Sequence, residues 1–262
     1  MSTTTPGELL RDWRQRRRLS QLDLALEAGV SARHLSFLET GRARPSRTMV
    51  LRLAEELDVP LRERNRLLLA AGFAPAYEER PLEAPEMEPV RGAVAQVLTG
   101  HEPFPAAVVD RWWTLVAANR NVSIFLDGVA PALLEPPANV LRASLHPDGM
   151  APRIVNLAEW RGHLLDRLRR EVAATADVRL GELLAELEGY PAPGASAPPG
   201  PAHGAIAVPL VLRHDGRELS FFSTVATFGM AVDVTVAELS IEAFFPADAT
   251  TTTFLRESLP PG

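Results

Sequence analysis

The chain has 262 residues, 46% of them hydrophobic and 23% charged, with a formal net charge of −6; this is an ordinary globular composition, long enough for two domains. It contains no cysteine, which excludes disulfide staples and thiolate metal sites. No run approaches 18 consecutive apolar residues, so no membrane partner is expected. The charge is unevenly spread: residues 1–75 carry 13 Arg against 9 Asp and Glu, a net of +4, while the remainder carries 14 Arg against 24 acids, a net of −10. A basic head on an acidic body suggests two jobs. All 27 basic residues are arginine, a compositional bias that is given no functional weight. The opening MSTTTPGELLRDW is polar and then amphipathic, unlike a secretion signal, and a cytoplasmic, nucleoid-associated location is expected.

Residues 7–75 read as five short helices. Leu9, Leu10, Trp13 and Arg17 follow helical spacing on the first. Ser20, Ser31 and Ser46 each stand just ahead of an apolar-periodic run, as N-caps do. Pro60 separates the fourth helix, with Val50, Leu51, Leu53, Ala54 and Leu57 on its apolar face, from the fifth, which ends at Gly72. The stretch that follows, APAYEERPLEAPEMEPV, is rich in proline and glutamate with little periodicity, and 76–90 is taken as a linker.

The second domain, 91–262, has a different pattern. After a helical VRGAVAQVLTG, AAVVDRWWTLVAAN reads as two short strands around a charged turn, with Asn119 opening the next element. Residues 153–174 have helical periodicity through Ile154, Leu157, Trp160, Leu164, Leu168 and Val172, and a second helix, LGELLAELEGY, follows. Beyond a Pro/Gly stretch at 191–204 come at least three strands, with RHDGREL as a hairpin on an Asp-Gly turn. TTTTFLRESL closes the chain as a short helix. The fold class expected is therefore an all-α domain followed by an α+β domain with a late antiparallel meander.

The segment SQLDLALEAGVSARHLSFLETG joins two helices at Gly29 with no room for a longer loop. A helix-turn-helix needs a small residue where the helices cross, here Ala25, and a turn residue that accepts positive φ, here Gly29. Leu24, Ala28, Val30, Leu35 and Leu38 fill the inward positions. The pattern Gln21, Ala25, Gly29, Val30, Ser31, Leu35, Ser36, Glu39 and Gly41 resembles the lambda-repressor-like, or Xre, helix-turn-helix family. GRARPS and LLLAAGFAPAY, together with VVDRWWTLVAANRN, NVLRASLHPDGM and RIVNLAEW in the body, look like regulators in which such a head precedes an MmyB-like, or MltR-type, ligand-binding domain. At 191–204 the proline-glycine stretch stands in place of the family's aromatic- and His-containing segment.

That resemblance implies a five-helix DNA-binding head and a PAS-like α+β body with an apolar pocket for a fatty-acid-like molecule. In such a head the helix starting at Ser31 enters the major groove. Ala32, Arg33, Ser36 and Phe37 are the expected base contacts: Arg33 to guanine, Ala32 or Phe37 to a thymine methyl. Gln21, Arg42 and Arg44 are the expected phosphate contacts. Glu39 is expected to bond backbone or a nearby arginine, and His34 to lie at the rim. A half-site of a few base pairs calls for a homodimer on a palindromic double-stranded operator.

For the body, the expected pocket residues are Trp113, Asn119, Phe125, His146, Asn156, Trp160 and Phe222. Aromatic residues at these spacings are also what an ordinary core contains. Polar residues on apolar elements, with Arg153 among them, are the better clues to a ligand's head group. Trp112 and Trp113 are adjacent, so on a strand only one can face a pocket. The histidines (His34, His101, His146, His163, His203, His214) show no metal-ligand spacing, and no nucleophile elbow, P-loop or Rossmann fingerprint occurs. Neither catalysis nor a cofactor is expected. The reading is a ligand-controlled transcription regulator expected to act as a repressor; the alternative is a DNA-binding dimer whose body serves only for dimerisation or protein docking.

Overall fold

A computed structural model describes residues 4–175, 177–191, 208–229 and 231–258. In chain order its helices are α1 (Pro6–Arg16), α2 (Gln21–Glu27), α3 (Ala32–Glu39), α4 (Arg47–Glu56), α5 (Leu61–Ala70), α6 (Glu88–Gly100), α7 (Ser123–Leu126), α8 (Val140–Leu145), α9 (Leu157–Thr175), α10 (Val178–Glu188), α11 (Val234–Ala237) and α12 (Ala249–Ser258). The strands are β1 (Ala106–Val109), β2 (Leu115–Ala118), β3 (Leu210–His214), β4 (Arg217–Thr227) and β5 (Ser240–Pro246). The chain divides into two compact units, Met1–Arg80 with Met230–Ala237, and Pro81–Gly229 with Glu238–Gly262. Apart from Pro191, the 191–204 stretch lies outside the described residues.

The first unit is the all-α head. Ser20, Ser31 and Ser46 cap α2, α3 and α4 by accepting from the backbone N–H three residues on, and Thr5 and Glu8 close a capping box on α1. The α2 helix ends in a Schellman motif: Val30 N donates to Ala25 O and Gly29 N to Leu26 O, with Gly29 at φ +59. That turn lets α3 leave α2 with no intervening loop. Leu10, Leu24, Leu35, Leu38, Leu53, Leu57, Leu67 and Leu68 form the core between the helices, while Val30 and Leu51 pack against it half-buried. At Gly7, a Cβ would stand 2.5 Å from the Leu38 carbonyl oxygen, so α1 crosses the end of α3 closely only because the side chain is missing.

The expected linker 76–90 is structured. Asn65 on α5 accepts from the backbone N–H of Ala76 and Tyr77 and donates to Tyr77 O, so residues 76–80 belong to the head unit. There they meet the segment between β4 and β5. Val234 N donates to Glu78 O at 2.8 Å, Thr235 Oγ1 to Arg80 O at 2.7 Å, and Arg80 pairs with Asp233 at 3.2 Å. Proline and glutamate mark where the helical pattern breaks; they do not stop a backbone from finding partners. A short 3-10 turn, Pro85–Met87, then leads into α6.

The second unit is the α+β body. Among the described residues its five strands form one antiparallel sheet in the order β2-β1-β5-β4-β3. The β3–β4 hairpin turns on Asp215 and Gly216, at φ +47 and +73, the two left-handed residues a tight hairpin needs. All four residues of β1 are buried, because both sheet faces are covered. Ala106, Val108, Leu239 and Ile241 pack with Val94 and Leu98 of α6. Ala107, Val109, Leu210 and Phe221 join the larger cluster that includes Phe125, Leu141, Trp160, Leu164 and Leu168. Trp112 and Trp113 lie in the turn between β1 and β2, not on a strand: Asp110 Oδ1 accepts from Trp112 N and Thr114 N, and Trp113 has φ +64. Ile154 precedes α9 and bridges to Leu212.

Candidate nucleic-acid interface and ligand pocket

On the head, α3 presents Arg33 exposed and Ser36 and Phe37 half-buried. Arg33 and Arg42 place their guanidinium carbons 5.3 and 6.0 Å from the Phe37 ring centroid. The ring is therefore a shelf between two cations, an arrangement within cation–π range. Arg42 and Arg44 lie exposed just past α3. Two expected contacts also have partners within the head. Ala32 is half-buried against the head core, because the first turn of α3 lies close to that core. Gln21 donates from Nε2 to Glu39 Oε2 at 2.8 Å, so its amide serves a buried network.

That network fixes the end of α3. Glu39, whose side chain is 2% exposed, accepts from Arg14 Nε at 2.7 Å and Nη2 at 2.9 Å. Arg14 also donates to Leu19 O. Burial alone raises the Glu39 pKa, but the hydrogen bonds from Arg14 and Gln21 and the positive charge of Arg14 leave it below the ordinary carboxylate value. Glu39 is thus the structural residue expected of it.

In the body, a partly open cavity of about 110 Å³ lies between the sheet and α7, α8 and α9. Three of the expected residues, Trp113, Phe125 and Trp160, line it. Four do not. Asn119 is buried at the end of β2, accepting from Ala106 N and donating to Leu98 O and Phe104 O, which ties β1 to the end of α6. His146 ends α8, with Nδ1 accepting from Asp148 N at 3.0 Å and its ring edge-on to Tyr190. Asn156 accepts from Val211 N and donates to Pro209 O, which secures β3 beside the start of α9. Phe222 is 40% exposed and stacks on Phe245, its cross-strand partner. Phe221 takes the inner face instead, since neighbours on a strand point oppositely. Arg153 donates to Ile124 O and Phe125 O at the end of α7; it too is structural. Asn119, Asn156 and Arg153 satisfy buried or part-buried backbone, while His146 bonds the backbone of an exposed turn.

Sequence reading missed the polar residues that do line the cavity: Asn139, Ser144, His163, Arg167, Ser223 and Glu242. A signal for two of them was present. Trp160, His163, Leu164 and Arg167 recur at three- and four-residue steps and so share one face of α9. Arg167 donates to Glu242 Oε1 at 2.7 Å and Oε2 at 3.2 Å, and from Nε to Glu171 at 3.2 Å. Its guanidinium lies 4.3 Å from the Trp113 ring centroid, and Trp113 donates to the other Glu171 oxygen. Burial alone lowers the Arg167 pKa, but Glu242 and then Glu171 raise it above its ordinary value. His163 stacks on Trp160; burial first, then Arg167 and Arg170, hold its pKa below the ordinary 6.5. Ser144 accepts from Trp160 Nε1 at 3.2 Å. No group of three or more His, Asp or Glu among the described residues is placed to hold a metal, and no described helix is long and apolar enough to cross a membrane.

Residues 90–257 match the family model for the MmyB-like transcription regulator ligand binding domain, and residues 10–64 match that of a helix-turn-helix region. The chain is 36% identical over 125 residues to "Uncharacterized HTH-type transcriptional regulator RghRB" of Bacillus subtilis, covering 46% of this chain and 88% of that protein. It is 30% identical over 135 residues to "Uncharacterized HTH-type transcriptional regulator Rv0023" of Mycobacterium tuberculosis, covering 52% of this chain and 46% of that protein. The chain thus spans about half the length of its mycobacterial relatives. With nearly two thirds of its length in one family model and a helix-turn-helix region ahead of it, the chain belongs to the MmyB-like transcription regulators.

Proposed function

We propose that the protein is a cytoplasmic, homodimeric, sequence-specific DNA-binding regulator, repressing in sign, whose operator affinity is set by a small, largely apolar ligand in the body cavity. Arg33, Ser36 and Phe37 reach base edges, and Arg42 and Arg44 hold phosphate. The Arg33–Phe37–Arg42 shelf supports this, because it gathers one exposed cation on α3 and another just past its end around a single ring. A head of this size covers a half-site, and a two-fold dimer on a palindrome supplies the rest. The PAS-like label that the resemblance implies is supported by a single antiparallel sheet with a cavity between it and its helices.

One observation favours ligand control over a plain docking module. Ser223 on β4 and Glu242 and Phe244 on β5 wall the cavity, and the segment that joins those strands belongs to the head unit. Its anchors there are Asp233 to Arg80, Val234 to Glu78 and Thr235 to Arg80. A ligand that binds two arrangements of β4 and β5 with different affinity therefore biases the head through a covalent path.

The test is selection of random duplexes by the full chain, followed by titrations. An inverted repeat should emerge. Arg33→Ala should cost about 1–3 kcal/mol on it, whereas Arg44→Ala should weaken all duplexes and reduce the salt slope by about 1. Equal affinity for unrelated duplexes, or one chain per operator, would sink this reading. For the alternative, Asp233→Asn should leave operator affinity intact under a docking module but uncouple it from any extract that alters it in the parent chain.

A further inference from the structure

The sheet of the body is covered unequally on its outer face, the one turned away from the cavity. Alternation and register fix which residues lie there. Ala226 pairs with Ile241 and Ile241 with Val108, while Phe222 pairs with Phe245, Ser220 with Val211 and Glu218 with Arg213. On the β1 side, Val94 and Leu98 of α6 pack with Val108 and Ile241. Over β3 and β4 the same face is open. Phe222 is 40% exposed although its ring stacks on Phe245. Val211 and Pro209, just ahead of β3, are half-buried, and Arg213 and Glu218 are exposed. The alternate residues Leu212, Leu219 and Phe221 point the other way and are fully buried, so the exposure belongs to one face of a well-packed hairpin.

The charge on this face selects its partner. The chain beyond residue 75 carries a net of −10, so two bodies repel wherever their acidic surfaces meet. The outer face of β3 and β4 carries one arginine and one glutamate, Arg213 and Glu218, and is neutral. They stand directly opposite on adjacent strands, and among the described residues neither enters an ion pair. A neutral patch with one charge of each sign side by side is complementary to itself. A two-fold axis running along the strands between β3 and β4 exchanges the two positions: Arg213 then faces the partner's Glu218, and Glu218 the partner's Arg213. With the sheets about 10 Å apart, the same operation lays Phe222 over the partner's Val211 and Pro209.

We infer that the outer face of β3 and β4 is the homodimer interface of the body. Two copies pack sheet on sheet, with Phe222 as the apolar anchor and the Arg213–Glu218 pairs at the rim. This surface stands on the homodimer proposed above and is independent of what the cavity holds.

The experiment is sedimentation equilibrium of the full chain and three variants. Phe222→Glu should weaken the dimer at least tenfold; because it also removes the stack on Phe245, thermal melting is followed alongside. Arg213→Glu and Glu218→Arg change exposed side chains and leave the core untouched. Each alone sets like charges against each other across the axis and should weaken the dimer about tenfold. Mixed in equal amounts, the two should dimerise as the parent does, because in the heterodimer every facing pair is again of opposite sign. Within each chain the like-charged cross-strand neighbours persist, so a defect of folding alone would not be rescued by mixing. A mixture no more dimeric than its components, or a Phe222→Glu chain that dimerises as tightly as the parent, overturns this interface while the homodimer stands. A parent chain that is monomeric with and without operator DNA removes the homodimer and the interface together.

Discussion

Each unit holds a buried arginine–glutamate pair, and the two pairs have different neighbours. In the head, Arg14 and Glu39 are 10% and 2% exposed at their side chains. Gln21 takes part of the remaining capacity of Glu39, and packed helices surround the group. In the body, Arg167 and Glu242 are 20% and 9% exposed, border a cavity, and lean on Glu171 and Trp113. The same chemistry thus serves to brace α1 against α3 in one place and to line a space in the other. What separates them is whether the groups around the pair close over it. A buried pair by itself says little about net stability, because desolvation offsets most of the attraction; its surroundings decide what breaking it costs.

The largest expected effect is therefore in the head. Glu39→Ala leaves Arg14 buried without its partner and should cost about 3–5 kcal/mol, read as a drop in the denaturation midpoint and loss of operator binding. Glu242→Gln should cost less, about 2 kcal/mol, because Arg167 keeps Glu171 and some solvent. This variant also sharpens the comparison, since it frees a guanidinium in the cavity: hexanoate should gain affinity at least tenfold. A variant equally destabilised as Glu39→Ala and with no gain for hexanoate would show that the two pairs do the same job. Gly29→Ala damages the head without touching either pair. Its φ of +59 should cost about 1–2 kcal/mol, measured by chemical denaturation.

The smallest effect is the pH response of the body. The folded-state pKa of His163 lies below 6.5, so the unfolded chain takes up the proton first. The contribution is fully present above pH 6.5 and declines as pH falls through the folded-state value. His163→Gln should flatten that part of the stability profile. Glu39 acts in the same direction at more acidic pH: its pKa is depressed from 4.5, so its contribution is present above that value and is lost as pH falls further.

Legibility differed between the units for physical reasons. In the head, local rules carried the outline. Serine caps, a glycine at the end of α2 and an apolar period of 3.6 are all short-range signals. Even there, the turns that follow α1 and α4 use Arg18 and Asp58, at φ +58 and +46, where no glycine marks the turn. In the body, Asn119, His146 and Asn156 stand out in the sequence as polar residues in apolar runs, and each bonds local or cross-element backbone. Phe221 and Phe222 are indistinguishable by composition; the register of β4 on β5, which pairs Phe222 with Phe245, decided which one turned inward.

The sequence by itself determined the two-part organisation, the charge asymmetry, the helix-turn-helix and the likeness to MmyB-like regulators, because these rest on spacings of a few residues. Only the tertiary structure decided that the β4–β5 segment belongs with the head, and that Arg167, Ser144 and Glu242 share a cavity. Those residues are 23 to 98 positions apart in the chain, and no local period reports a pairing at that range; packing and strand register do.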